Sequence, residues 1–128
     1  MLRNDMACYK ARAQAVRHAE VYRGAFAISV CPSENVESPT IVGAQAANEL
    51  LNIIGIKASF VLTEYNDKIY ISSRSIDEIN VQLIMERMGG GGHLNVAGAQ
   101  LKDCSIVKAK HMIQDTIDEM LKEGDIVE

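Results

Sequence analysis

The stretch KASFVLTEYNDKIYISSRS, residues 57–75, decides the architecture. Two runs rich in β-branched and aromatic residues, Lys57–Tyr65 and Lys68–Ser73, flank Asn66-Asp67, a pair suited to the left-handed conformations of a two-residue hairpin turn. With these two as the loop, Thr63 lies opposite Tyr70 and Val61 opposite Ser72. One face then carries Phe60, Leu62, Ile69 and Ile71, a core face. The other carries Val61, Thr63, Tyr65, Tyr70, Ser72 and, at its end, Arg74. Hydroxyls and an arginine on one sheet face mark either the wall of a site or a solvated surface; the pairing alone does not choose between them.

Outward from the hairpin, periodicity and breakers assign the remaining elements. Asp5 to Ala19 is alanine-rich and reads as a helix, with Met6, Tyr9, Ala13 and Val16 as its stripe. Val21 to Cys31 reads as one strand, nearly all apolar from Ala25 to Val30, as in a strand covered on both faces. Pro39 opens a helix over Thr40 to Ile54 that Gly55 ends. Beyond the hairpin come a helix over Ile79 to Met88, a glycine loop, a strand over Val96 to Lys102, and a helix over Ser105 to Lys122. That last helix gathers Ile106, Ala109, Ile113, Ile117, Met120 and Leu121 on one stripe. The order predicts an α/β fold: a mixed β-sheet, one hairpin plus parallel crossover strands, flanked by helices in a single domain.

Composition narrows the class. With 128 residues, 48% hydrophobic and 23% charged, the chain can bury a real core, which excludes disordered, collagen-like and disulfide-scaffold proteins. Three cysteines, Cys8, Cys31 and Cys104, lack C-x-x-C spacing, so they read as packing residues in a reducing cytoplasm. No apolar run approaches the roughly 20 residues of a membrane span, and Met1–Tyr9 lacks the apolar centre of a signal peptide. The formal net charge is −4, split between +3 over residues 1–24 and −7 over the rest. Such a balance disfavours a general nucleic-acid clamp, which draws its affinity from many Lys/Arg–phosphate contacts.

The chemistry concentrates in Gly89-Gly90-Gly91-Gly92-His93. Gly89 is explained as the left-handed residue ending a helix. The next three glycines cost backbone entropy, and their use is close approach: without Cβ atoms, a loop can turn its amides toward an anion. His93 offers a ring N–H at the same place. This is neither a Walker loop nor a Rossmann turn. Arg74, in Ser72-Ser73-Arg74-Ser75, could pair bidentately with a phosphate, although from spacing alone an exposed salt bridge is the simpler reading. His18 and His111 sit on charged helical faces, and Met85, Met88, Met112 and Met120 fit core stripes. No H-x-x-x-H, H-x-D or Asp-His-His pattern occurs, and no Ser or Cys has a recognisable base partner. The chain reads as half of an active site.

Ser72-x-Arg74-Ser75, Ile79-Asn80-Val81 and Gly90-Gly91-Gly92-His93-x-x-Val96-Ala97-Gly98 together resemble the C-terminal DHH-associated domain of the DHH phosphoesterase superfamily. The resemblance runs from about Val21 to Leu121. Within the superfamily, the four-glycine run, Leu94, and the lead-in Asn80-Val81-Gln82-x-Ile84-Met85-Glu86 are most similar to the bacterial cyclic-di-AMP phosphodiesterases. One departure is Val96, where the family pattern has alanine, a larger side chain beside the loop.

The resemblance implies a division of labour. Residues 1–20 would be a helix linking to a DHH catalytic domain in cis, and residues 21–128 the substrate-binding domain. This chain would bind phosphate through Arg74, Ser72, Gly90, Gly91, Gly92 and His93, and would hold no catalytic residue and no metal. Two manganese ions would sit in the catalytic domain, so the chain alone is expected to be inactive. The implied ligand is cyclic di-AMP or the linear adenine dinucleotide. A homodimer is compatible with this reading, and the segment itself would make no membrane contact. It would lie in the cytoplasm, with the full-length protein anchored in the cell membrane. Alternatives are the domain of a nano-RNase or 3′-phosphoadenosine phosphatase of the same superfamily, or a non-catalytic module for RNA or the tRNA acceptor end.

Overall fold

The computed structural model describes residues 5–127, so the first four residues of the expected 1–20 linker lie outside it. The elements run α1 (Met6–Arg17), β1 (Glu20–Tyr22), β2 (Phe26–Cys31), α2 (Pro39–Leu50), β3 (Ala58–Tyr65), β4 (Lys68–Ser75), α3 (Val81–Glu86), β5 (Gly91–Gly92), β6 (Val96–Lys102) and α4 (Ile106–Glu123). They form one six-stranded sheet in the order β1-β2-β3-β4-β6-β5. Only β2 and β3 pair in parallel, joined by the α2 crossover. The α/β class, the single domain and the mixed sheet are those expected from the sequence.

The hairpin has the predicted register, with Thr63 opposite Tyr70 and Val61 opposite Ser72. Asn66 and Asp67 take φ of 52° and 60°, as a two-residue turn of this twist requires. Phe60, Leu62, Ile69 and Ile71 join one core beneath α3 and α4, together with Ile84, Ile113, Ile117 and Met120. Fully burying a side chain of this kind stabilises the fold by about 1.5–3 kcal/mol. A second core lies on the opposite face, where Ala27, Cys31 and Val61 meet Ala11 and Ala15 of α1 and Ala46, Ala47 and Leu50 of α2.

Four expectations are corrected. The strand over Val21–Cys31 is a hairpin, β1–β2, because Arg23 and Gly24 adopt φ of 52° and 77° and turn the chain. The stripe expected on α1 points outward except at Val16, which packs half-buried on the second core: Met6 and Tyr9 are 66% and 59% exposed and Ala13 is exposed, while Ala11 and Ala15 are buried. Small residues face inward there because α1 packs on both α2 and β2, and Ser29 Oγ donates to Ala15 O across that contact. Helix α2 stops at Leu50, and the chain reaches Gly55 through i→i−3 turns such as Asn52 N to Glu49 O at 3.0 Å. Finally, α3 is shorter than Ile79–Met88, with Asn80 as its cap accepting from Leu83 N at 3.3 Å.

Candidate functional site

The two helix layers do not cover the sheet evenly. On the α1/α2 face, Ser59, Val61 and Thr63 of β3 are buried, whereas Tyr70, Ser72 and Arg74 of the next strand, β4, are only half-buried. Beyond them on β6, Gly98 is half-buried, and Val96, Gln100 and Lys102 are exposed. The helical cover therefore ends at β4, and the last three strands form an open shelf. The polar face expected of the hairpin is thus divided: Val61 and Thr63 are core, and Tyr70, Ser72 and Arg74 belong to the shelf.

Register brings the separated motifs together. Ser72 pairs with Gly98, which pairs with Gly91; Arg74 pairs with Val96, whose carbonyl accepts from His93 N at 2.7 Å. Side chains alternate between sheet faces, so these two rows, two residues apart, share one face. At roughly 4.8 Å per strand, His93 and Arg74 stand about 10 Å apart at Cα across Val96. The six candidate residues thus lie on β4, on β5 with Gly90 just before it, and in the turn between β5 and β6, with Gly92 on the opposite face opposite Ala97. Val96, the departure from the family pattern, is 49% exposed on the shelf and does not crowd the core.

The glycine run is a turn leading into a short strand, Gly91–Gly92, and most of its glycines answer to the chain itself. Gly89, at φ 85°, ends the turn after α3. A Cβ on Gly90 would overlap Gly98 O and lie 2.7 Å from Ala99 Cα; one on Gly92 would lie 2.6 Å from Ala97 Cα. These two glycines permit β5 to press against β6. Gly91 differs: a Cβ there meets nothing within 4 Å, and its φ is not in the left-handed range. Neither backbone geometry nor packing within the chain demands a glycine at 91. The amides are also partly engaged, since Gly90 N donates to Met85 O at 2.8 Å and His93 N to Val96 O.

Arg74 supplies the charge. Arg12, Arg23 and Arg87 each reach a carboxylate, Glu49, Asp118, and Glu123 with Asp125 respectively. Among the described residues Arg74 reaches none; its Nη1 donates to Ser73 O at 2.9 Å, which leaves most of its five N–H donors uncommitted. Burial holds its pKa below the usual arginine value, yet a guanidinium remains cationic at neutral pH. A half-buried cation without a counter-ion is costly unless an anion completes it. The exposed salt bridge that spacing favoured is absent among the described residues.

A cavity of about 560 Å³ opens on the same shelf, lined by Thr40, Tyr70, Ser72, Gly90, Gly98 and Gln100, among others. Arg74 and His93 lie outside its lining, toward the Val96 end. No group of three or more His, Cys, Asp or Glu side chains among the described residues could hold a metal ion. No described helix is long and apolar enough to cross a membrane.

A profile of the DHHA1 domain matches residues 25–123. This chain belongs to the DHHA1 domain family. It is 42% identical over 118 residues to the cyclic-di-AMP phosphodiesterase PdeA of Listeria monocytogenes, covering 91% of this chain and 18% of that protein. It is 37% identical over 125 residues to the cyclic-di-AMP phosphodiesterase GdpP of Geobacillus thermodenitrificans, covering 97% of this chain and 19% of the relative. This DHHA1 domain thus spans about a fifth of these relatives' length. Among solved structures, an exopolyphosphatase-related protein from Bacteroides fragilis superposes with a TM-score of 0.81 at 19% identity, over 94% of this chain and 37% of the other, a likeness of fold.

Sequence reasoning missed what holds His93 in this DHHA1 domain. Asn95 Nδ2 donates to Ser75 Oγ at 2.9 Å and to Asp77 O at 3.3 Å, and Ser75 N donates to Asn95 O at 3.0 Å. Ser75 Oγ in turn donates to Ile79 O at 2.6 Å, and Val81 N donates to Leu94 O at 2.9 Å. The turn carrying His93 is thereby tied to the start of α3 and to the end of β4, the strand that carries Arg74. An Asn in a tight turn reads only as a turn former, so no sequence signal marked this role. Thr40 and Gln100 were missed as well, since both reach the shelf only through tertiary packing.

Proposed function

We propose that the shelf binds a phosphate of a dinucleotide and that this domain is the substrate-binding half of a phosphodiesterase. The observation that carries the reading is Arg74: a half-buried guanidinium that meets no carboxylate among the described residues, beside a floor where Gly98 and Gly91 bear no side chains. Its substrate is cyclic di-AMP, opened to the linear di-adenylate, a reading supported by the relatives that bear that activity in their names. Residues 21–128 form the binding unit, and residues 1–20 lead toward a DHH catalytic domain in cis.

Chemically, the chain supplies donors. Arg74 grips a phosphate oxygen pair as a planar fork, while the ring N–H of His93 approaches from two strands away. Ser72 adds a hydroxyl between them and the cavity. Donors held in place before reaction favour the state in which charge has grown on the phosphate, and that is how a binding half contributes to rate. The described residues do not fit a metal centre, so the two manganese ions of this reading belong to the catalytic domain. The steps performed here are binding, orientation and charge stabilisation.

Titration with linear di-adenylate, followed by amide shifts of the 128-residue chain, tests the proposal. Saturable shifts should cluster at Ser72, Arg74 and Gly90–His93, with a Kd on the order of 0.1–1 mM for an incompletely enclosed ligand. Shifts confined to α4 or to the β1 edge would refute it. The same chain should show no hydrolysis of cyclic di-AMP with manganese added.

A further inference from the structure

The phosphate reading centres on the Arg74 end of the shelf, and the cavity begins at Ser72 and Gly90 and extends away from it. From Arg74, the strand runs back through Ser72 to Tyr70, about 7 Å per two residues and about 14 Å in all. One phosphate does not span that distance; a nucleotide does. Tyr70 pairs with Gln100, side by side on the shelf face, and both line the cavity of about 560 Å³ with Thr40 of α2 as its wall. That volume is in the range of small-molecule sites. Tyr65 meets Tyr70 at a tilt of 47°, with centroids 6.4 Å apart, so it is not stacked face to face on the Tyr70 ring. Gln100 is exposed, and no hydrogen bond engages its amide among the described residues.

We infer that Tyr70 and Gln100 form a nucleobase subsite that selects adenine. The inference rests on the dinucleotide reading above and deepens it. Tyr70 supplies an aromatic surface, and stacking on such a ring is sequence-tolerant because every base has a π-face. Discrimination falls to Gln100. A carboxamide presents one acceptor and one donor side by side, the complement of adenine's exocyclic amine and ring N7. Guanine presents two acceptors, O6 and N7, on the same edge and leaves the amide's oxygen opposed by another oxygen. Thr40, held over the shelf by α2, closes the cavity on the side away from β5. Gly98 and Gly91, paired in one row with Ser72, leave the passage between cavity and phosphate end free of side chains. One continuous surface then holds a phosphate at Arg74 and a base at Tyr70.

Affinities of linear di-adenylate and linear di-guanylate for the 128-residue chain test the inference. The wild type should prefer di-adenylate. Gln100→Ala, a surface change, should bring the two affinities within about twofold of one another while binding persists, a loss of one bidentate base contact. Tyr70→Leu keeps apolar bulk and should weaken both ligands roughly 5- to 100-fold, the range of a lost base–aromatic stack. A thermal melt of each variant reports whether the fold is intact. If the preference survives Gln100→Ala, or if a folded Tyr70→Leu binds like the wild type, the subsite is refuted. Should Arg74→Ala abolish binding while both of those variants behave as wild type, the phosphate site stands and the base subsite falls. If neither dinucleotide perturbs the shelf, the functional reading falls too.

Discussion

Replacing Gly90 and Gly91 one at a time by alanine separates what the glycine run does for the chain from what it does for a ligand. At Gly90 the new methyl would overlap Gly98 O and sit 2.7 Å from both Cα and Cβ of Ala99. The first two of those neighbours include backbone of a central stretch of β6, so no flexible side chain can yield. Overpacking of this kind costs about 1–3 kcal/mol. For a domain of this size that is roughly 3–5 °C in Tm per kcal/mol, so a fall of about 3–15 °C is expected. At Gly91 the methyl meets nothing within 4 Å, and stability should stay within about 0.5 kcal/mol of wild type. Yet the methyl would project onto the shelf beside Gly98 and Ser72, where the ligand is proposed to lie. Affinity for linear di-adenylate should drop on the order of tenfold, the equivalent of about 1.4 kcal/mol of lost close contact. Scanning calorimetry and a dinucleotide titration on both variants read the two effects. A Gly91→Ala protein that binds normally, or that melts as early as Gly90→Ala, would refute the reasoning.

In a full-length enzyme carrying this domain, Arg74→Ala and His93→Ala should each reduce turnover roughly 10²- to 10³-fold, the usual effect of removing one transition-state donor. Tm should barely move, and a His93→Ala enzyme that melts early but keeps its activity per folded molecule would identify a packing residue. Burial pushes the Cys31 thiol up to about 11, so a thiol reagent at pH 8 should modify the half-buried Cys8 and Cys104 and reach Cys31 only on unfolding. Because that folded value lies above the ordinary 9.0, the contribution of Cys31 to stability is intact below pH 9 and declines as pH rises toward about 11. Asp118 accepts from Tyr22 Oη at 2.7 Å and from Arg23 Nε at 2.6 Å, bonds that hold its carboxyl below the ordinary 3.8. Its stabilisation is therefore present above about pH 4 and lost as acidification proceeds below 3.8, so Asp118→Asn should flatten the acid limb of a Tm-against-pH curve.

Local signals alone determined much of this protein. Asn66-Asp67 with its flanking alternation specified the hairpin register to the residue, because a two-residue turn admits one pairing and a slip would expose Phe60 and Leu62. The stripe of α4 was equally legible, because 18 helical residues average out local exceptions. Where the chain depends on what lies opposite, the sequence was silent. The helix stripe of α1 was misread because close packing against α2 and β2 selects small residues over large ones, and Ala11 and Ala15 carry little hydrophobic signal. The candidate site could be named from sequence as residue types, Arg74 and the glycines with His93, but not as an arrangement. Their meeting depends on β6 pairing with β4 across a separation of more than twenty residues, and on α2 ending its cover at β4. Tertiary structure also reassigned the glycines, since only the position of β6 reveals that Gly90 and Gly92 lack side chains for its sake and that Gly91 does not.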